Sequence, residues 1–363
     1  MMARLGDICT VVSGSTPKSV VPEYWDGDVK WITPAELDDD SYIISDSVRH
    51  ITTLGVTKTG LKPFPAGTVI LSSRAPIGKT AIAGCEMYCN QGFKNLVCSN
   101  NIDSKYLYFF LSSKRDYLNS LGRGATFKEI SKTIVENIEI PLPEMAEQKA
   151  ITTRFENLMK LIQLRKTELE KLDQLVKSRF IELFGTENEF DKWPCCTIGD
   201  VADVCVGVVI KPTQYYTDKG IPAFRSLNIG EMHVKDSDWV YFTEEGHQKN
   251  QKSVVHKNDV LVVRSGAPGT AYVATEKYDG YNAVDIIIAH PDNSKVNSIF
   301  LAAFTNMPHG MNQIRERTGG AAQQHFNVGG YKAMRLIMPS IELQNQYAAF
   351  VEQTDKSKYY SVA

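Results

Sequence analysis

The stretch from Glu144 to Phe184 runs 41 residues without a glycine or a proline. Apolar or long-stemmed side chains recur in it at Phe155, Leu158, Ile162, Arg165, Leu169, Leu172, Val176, Arg179 and Leu183. Their steps alternate between three and four, the seam along which one helix packs on another. Glu168, Glu170 and Lys171 lie off that seam and are expected to face water. Pro143 precedes the run, where a missing N–H costs nothing, and Gly185 ends it. A helix of this length spans about 60 Å. One compact domain has no need of such a rod, so the run reads as a spacer with globular chain on either side.

The two flanking segments repeat one another. Leu5-Gly6-Asp7-Ile8 recurs as Ile198-Gly199-Asp200-Val201, and the stretch Val69 to Ala83 recurs as Val260 to Ala274. Gln91 aligns with Asn282, and Pro143 and Gln148 align with Pro339 and Gln344. Strand-like runs at Thr68–Ser72, Lys79–Ala83, Val260–Val263 and Val284–Ala289 are bounded by Gly, Pro and Asn. Helices are expected over Asp103–Leu121 and, more weakly, Asn297–Glu316. The expected class is α+β: two tandem mixed α/β domains separated by long helices that form an antiparallel coiled-coil spacer. Residues 1–142 and 186–339 form the domains, and 143–185 and 340–363 the helices. The second helix is the shorter, so either that copy is cut short or a partner completes it.

Composition narrows the function. Lysine and arginine total 40 against 42 acidic residues, a net charge of -2, which excludes binding nucleic acid through bulk positive charge alone. Residues 3–142 and 191–339 each hold 15 basic and 15 acidic side chains, so any contact with an anion is local. No apolar run approaches the roughly 20 residues that span a bilayer, and the start MMARLGDICTVVSG lacks a secretory pattern. Seven scattered cysteines suit free thiols in a reducing compartment, so a cytoplasmic location is expected. Ser73 to Thr80 imitates a phosphate loop but has serine where its first glycine belongs. The chain has no Pro-Pro for a methyltransferase loop and no spacing of Cys and His that suits a metal.

Several of these pieces carry a family likeness. They are Ser13-Gly14-Ser15-Thr16-Pro17, Tyr24-Trp25, Trp31-Ile32-Thr33-Pro34, Ser72 to Gly78, Gly122 to Thr126, IPLPEMAEQKAI, KLDQLVKSRFIELFG and TGGAAQQHFNVGGYKAMRLIMPSIELQNQ. Together, and with the duplication, they resemble the specificity subunit of Type I restriction-modification enzymes. The resemblance implies two target-recognition domains, each reading one half of an asymmetric bipartite site in double-stranded DNA. It also implies helices that dock two modification subunits, with a restriction or motor subunit as a further partner. Such a subunit is non-catalytic. No cofactor is expected on this chain; S-adenosylmethionine, and ATP and Mg for restriction, belong to the partners. The short C-terminal helix departs from the pattern.

Base edges are read mainly by Arg, Lys, Asn, Gln, Ser and Thr, while phosphate contacts set register. Polar loop residues of these types are the candidates: Ser15, Thr16, Lys18, Arg74, Lys79, Gln91, Arg123, Thr126 and Lys128 in the first domain. In the second they are Lys211, Arg225, Asn228, Arg264, Asn282, Arg317, Gln323, Gln324 and His325. Gly122, Gly124, Gly319 and Gly320 would let backbone N–H groups approach phosphates. Trp25 and Trp31 fit either a core or a base-stacking role. Leu158, Ile162, Leu169, Leu172 and Val176 are the candidates for subunit docking. A different class, a coiled-coil adaptor whose globules bind protein, predicts loops rich in exposed aromatics. Loops 122–128 and 318–327 instead set Arg, Gln and Thr beside glycine.

Overall fold

The computed structural model describes residues 1–74, 76–124, 128–318 and 325–362, with 359–362 described by their backbone only. Two compact units result, Met1–Gln163 and Leu164–Ala363. The Gly- and Pro-free run is one helix, Met145–Phe184, so its first half belongs to one unit and its second half to the other. Gly185 stops it with a φ of 86°, where its N–H bonds the Ile181 carbonyl at 2.8 Å.

In the first unit a five-stranded sheet orders Cys9–Val12, Asn95–Cys98, Val69–Leu71, Thr80–Ala83 and Ile43–Ile44. A three-stranded sheet orders His50–Ile51, Trp25–Ile32 and Tyr88–Cys89. The second unit repeats the plan with Ala202–Val206, Ile286–Pro291, Val260–Val263 and Ala271–Val273 in one sheet. Its other four-stranded sheet orders Tyr216–Thr217, Val240–Phe242, Ile221–Phe224 and Asn282–Ala283. Each unit closes by pairing its first strand with its last: Met2–Arg4 with Glu139–Pro141, and Cys195–Thr197 with Arg335–Ile337. The repeated Leu5 and Ile198 mark that closure, their N–H groups bonding the Ile138 and Met334 carbonyls at 2.9 and 3.0 Å.

Each expected helix after the sheet is in fact two. Ser104–Ser113 is followed by Arg115–Ser120, and Ser298–Asn306 by Pro308–Thr318. In the second copy Pro308 has no N–H with which to continue the first helix. Lys114 makes the matching break in the first copy with a non-helical φ of -109° and ψ of 19°. Trp25 and Trp31 are core residues, packed edge to face at 5.2 Å, so the stacking role for them falls away.

The aligned glutamines tie each unit to its helix. Gln148 is fully buried; its Oε1 accepts the Asp103 N–H at 2.9 Å, and its Nε2 donates to the Asn101 and Pro143 carbonyls at 3.0 and 2.9 Å. Gln344, equally buried, accepts the Asn297 N–H at 2.9 Å and donates to the Pro339 carbonyl at 2.9 Å. Asp103 and Asn297 are themselves the N-caps of the helices that follow each main sheet. Three chain segments thus meet at one amide in each copy.

Further along the long helix, Glu156 accepts from Lys105 at 2.6 Å and from the Tyr42 hydroxyl at 2.8 Å, while Phe155 stacks on Phe109. Its second half enters the core of the second unit through Phe180 and Phe184, which pack on Phe300 and Tyr347. The C-terminal helix Ile341–Val362 runs antiparallel to it, with Tyr347 beside Phe180 and Lys358 bonded to Asp173 at 2.7 Å. His309 sits among Phe180, Phe190 and Phe304 with neither ring nitrogen bonded, and burial holds it below the usual histidine range.

Gln148→Leu strands the buried Asp103 N–H and is expected to cost the first unit about 1–3 kcal/mol. Gln344→Leu should do the same to the second unit by stranding the Asn297 N–H. Denaturant unfolding followed by probes in each unit reads the two effects apart; an unchanged midpoint for either variant would contradict the clamp.

Candidate nucleic-acid interface

The loop after the first strand in each unit is pressed onto a neighbouring strand. Ser15 N–H bonds the Cys89 carbonyl at 3.0 Å, and a Cβ on Gly14 would stand 1.8 Å from that same oxygen. Val208 N–H bonds the Ala283 carbonyl at 2.8 Å, and a Cβ on Gly207 would stand 2.5 Å from it. Only glycine permits either approach. This pairing corrects one alignment: Ala283 is the counterpart of Cys89, so Asn282, one residue before it, is not the counterpart of Gln91, two residues beyond Cys89. The link from there to the next matched pair, Phe93 and Ile286, is one residue shorter in the second unit.

From there a continuous polar face forms in the first unit. Thr16 Oγ1 donates to Gln91 Oε1 at 2.5 Å, and both side chains are exposed. Gly92 carbonyl accepts the Ser73 N–H at 2.8 Å, and the Ser73 carbonyl accepts the Ile130 N–H at 3.0 Å. Arg74 and the deeper Lys94 both reach Glu129, at 3.0 and 3.1 Å. Arg123 exchanges backbone hydrogen bonds with Glu129 at 3.0 and 2.9 Å, and its side chain stands exposed beside Lys128. Burial alone would raise the Glu129 carboxyl, but the Lys94 and Arg74 cations outweigh it and hold it below the usual range. Four cations, Arg74, Lys94, Arg123 and Lys128, against one carboxylate leave this patch locally positive within a neutral unit.

The second unit builds the same place with other side chains. The Arg264 carbonyl accepts the Phe326 N–H at 2.9 Å, as Ser73 does for Ile130, so Ser265 and His325 stand where Arg74 and Glu129 stand in the first copy. His325 bonds Ser265 Oγ at 2.8 Å through Nδ1 and Arg264 at 2.5 Å through Nε2. Arg264, 8% exposed, also reaches Asp285 at 2.7 Å and the Phe326 carbonyl at 3.0 Å. Arg317 is exposed and donates to the Gln313 and Ala333 carbonyls at 2.9 and 3.3 Å.

Not every expected reader lies on such a face. Asn228 is fully buried, accepting the Arg225 N–H at 2.9 Å and donating to the Ser237 carbonyl at 2.7 Å. Asn282 is fully buried between His247 at 2.7 Å and Ser253 at 3.1 Å. These amides and the Arg264 guanidinium brace loops. Lys79 donates to the Leu37 carbonyl and Arg225 to the Asp238 carbonyl, so both are committed within the fold. Ser15 and Lys18 are exposed, but their carbonyls serve Trp31 and Trp25 at 3.0 and 3.2 Å. Lys211 is exposed, with a left-handed φ of 45°. Thr126, Gln323 and Gln324, like Gly319 and Gly320, lie outside the described residues. Sequence reasoning missed Lys94, Glu129, Ser265 and Asp285, whose partners are far away in the chain. Of the docking candidates, Leu158 and Ile162 are about half exposed, Leu169 and Leu172 are partly covered, and Val176 is buried in the core of the second unit.

Arg264→Ala leaves Asp285 and the Phe326 carbonyl without their donor and should cost the second unit about 1.5–3 kcal/mol. Arg74→Ala, which removes a half-exposed pair, should stay within about 1 kcal/mol in the first unit. Unfolding midpoints of the two variants test the contrast, and equal losses would mean that both arginines serve the same structural purpose.

Comparison with known proteins gives one answer throughout. Residues 1–174 match the family model described as the Type I restriction modification DNA specificity domain. The Type I restriction enzyme MjaIX specificity subunit of Methanocaldococcus jannaschii is 27% identical over 96% of this chain and 85% of its own length. A structure from work on complex assembly and conformational transition of the type I R-M system has a TM-score of 0.60 at 18% identity, covering 99% of this chain and 91% of its own. The S subunit of the M. genitalium Type I system has a TM-score of 0.54 at 16% identity, with 99% and 90% covered. With its duplicated architecture, the chain is similar over nearly its whole length to Type I restriction enzyme specificity subunits, and its first 174 residues match their DNA specificity domain.

Proposed function

We propose that this chain selects the DNA sequence for a Type I restriction-modification complex, each unit reading one half of an asymmetric bipartite site. The observation that carries this reading is the pair of matched loop clusters. Equivalent backbone positions hold Arg74 and Glu129 in one unit and Ser265 and His325 in the other, with Gln91 and Asp285 in the neighbouring links. A common scaffold that presents different donors and acceptors suits two half-sites of different sequence. The readers are drawn from the exposed groups Thr16, Gln91, Arg74, Arg123 and Lys128 in the first unit and Lys211, Arg317 and His325 in the second, with the half-buried Ser265. Thr126, Gln323 and Gln324, outside the described residues, join them by residue type alone. The adaptor reading is not favoured, since hydrogen-bonding and charged groups predominate on these faces, with Tyr117 the exposed aromatic beside Arg123 and Glu129.

On this reading the chain performs no chemistry itself. Leu158, Ile162, Leu169 and Leu172 form the docking stripe for two modification subunits, which bring S-adenosylmethionine; a motor-nuclease subunit brings ATP and Mg. The complex works on cytoplasmic DNA, and among the described residues no helix is long and apolar enough to cross a membrane. With charge balanced in residues 3–142 and in residues 191–339, few counterions are released by this chain alone, and the modification subunits supply much of the affinity.

Arg123→Ala is expected to weaken discrimination within one half-site only, by about 1–3 kcal/mol for a lost bidentate contact. The measurement is binding of the assembled complex to duplexes altered in one half-site at a time. Equal weakening on all duplexes would assign Arg123 to a phosphate instead of a base.

A further inference from the structure

Away from the loop faces, three adjacent strands of the second unit set a cysteine, a histidine and an aspartate in a row. Ala202–Val206 pairs with Ile286–Pro291 so that Cys205 opposes Ile288 and Asp203 opposes His290. Residues 205 and 290 are therefore diagonal neighbours on one face of the sheet. Asp259 precedes the third strand, whose Val260 opposes Ala289. Cys205 Sγ lies 3.6 Å from His290 Nε2, and His290 Nδ1 lies 2.7 Å from Asp259 Oδ1. Asp259 is 3% exposed, and its second oxygen accepts the His256 N–H at 2.6 Å, so the carboxylate is fixed in place. The cysteine and the histidine are both partly open to solvent.

The Asp259 hydrogen bond, with help from Cys205, raises His290 to about 10 against the opposing effect of burial. At neutral pH the ring is then an imidazolium, with Nδ1–H held by Asp259 and Nε2–H directed at the sulfur. That N–H is a donor 3.6 Å from the sulfur, placed to hold a thiolate during attack. The Lys252 carbonyl, 3.1 Å from Sγ, accepts the S–H when the thiol is neutral. Asp203 shares this face, directly opposite His290, and its charge is paired with Lys332 at 3.6 Å; His256, whose ring is 6.2 Å from that of His290, is paired with Asp279 at 3.5 Å.

The remaining cysteines are placed differently. Burial pushes Cys89 up to about 12 and also raises Cys196, and Cys9 is raised by its hydrogen bond to Cys98 and by burial. Cys85 has the Lys30 ammonium at 3.5 Å but no histidine, which makes it the internal comparison for a cation alone.

We propose that Cys205, held by His290 and Asp259, is a thiol-modification site that takes low-molecular-weight disulfides of the glutathione class. Cys205 first loses its proton to water, and the thiolate attacks one sulfur of the disulfide. The S–S bond breaks, a Cys205–S–S–R bond forms, and the departing thiolate leaves with the electron pair and takes a proton from water. One disulfide is consumed and one is formed, so no further oxidant is needed.

The full chain is incubated with oxidised glutathione at neutral pH, and adducts are followed by peptide mass spectrometry. Cys205 should gain its adduct about tenfold or more faster than Cys85 or any other cysteine, and His290→Gln should remove that advantage. The wild-type comparison needs no variant to fold, and circular dichroism checks His290→Gln. A Cys205 no faster than Cys85, or a folded His290→Gln variant as fast as the wild type, would overturn the proposal.

Discussion

The fold rests on one kind of contact used twice. A buried side-chain amide, Gln148 in one copy and Gln344 in the other, joins the start of a helix to the cap of the helix behind the main sheet. Such an amide has donors and an acceptor, and leaving any of them unpaired inside the protein costs more than the bond itself contributes. Each unit is therefore committed to one angle of departure for its helix. Without that commitment a seam of apolar residues would still make a helix, but nothing would orient it relative to the loops.

The same economy divides the polar residues of the loops into two kinds. Asn228, Asn282 and Arg264 are buried and saturated by partners within the chain, so they shape the surface. Thr16, Gln91, Arg74, Arg123 and Arg317 stand at that surface with capacity to meet another molecule. Backbone next to or within this set is tied down, with Ser15 N–H on the Cys89 carbonyl, Ser73 N–H on the Gly92 carbonyl and Arg123 paired with Glu129, which presents the side chains of the first unit from a fixed base. Charge enters locally through Lys94 and Arg74 around Glu129, in units whose charges otherwise cancel.

Much of this was legible in the chain. The 3-4 seam and its Gly185 stop marked out the helix within a residue at its start, because helical period is a local property. Duplication was legible because anchors such as Gln148 and Gln344 fill equivalent buried positions whose hydrogen bonds need that amide. What escaped were pairings over long sequence distance. Asp285 and Glu129 look like ordinary acidic residues until folding brings Arg264 and Lys94 to them. Asn282 was aligned with Gln91 by residue likeness, whereas the hydrogen-bond register puts Asn282 one residue before the counterpart of Cys89. Val176 obeys the seam, yet the second unit wraps that part of the helix and covers it. Periodicity identifies an apolar face without saying what will pack on it.

The central claim is that two different readers on one duplicated scaffold choose a split DNA sequence. Single-molecule sequencing of methylated bases across the host genome, with and without this gene, tests it most directly. The account predicts that one motif, two unlike half-sites around a fixed gap, loses its methylation when the gene is deleted. A methylation pattern that is unchanged by the deletion, or a lost motif that is a single uninterrupted sequence, would contradict it.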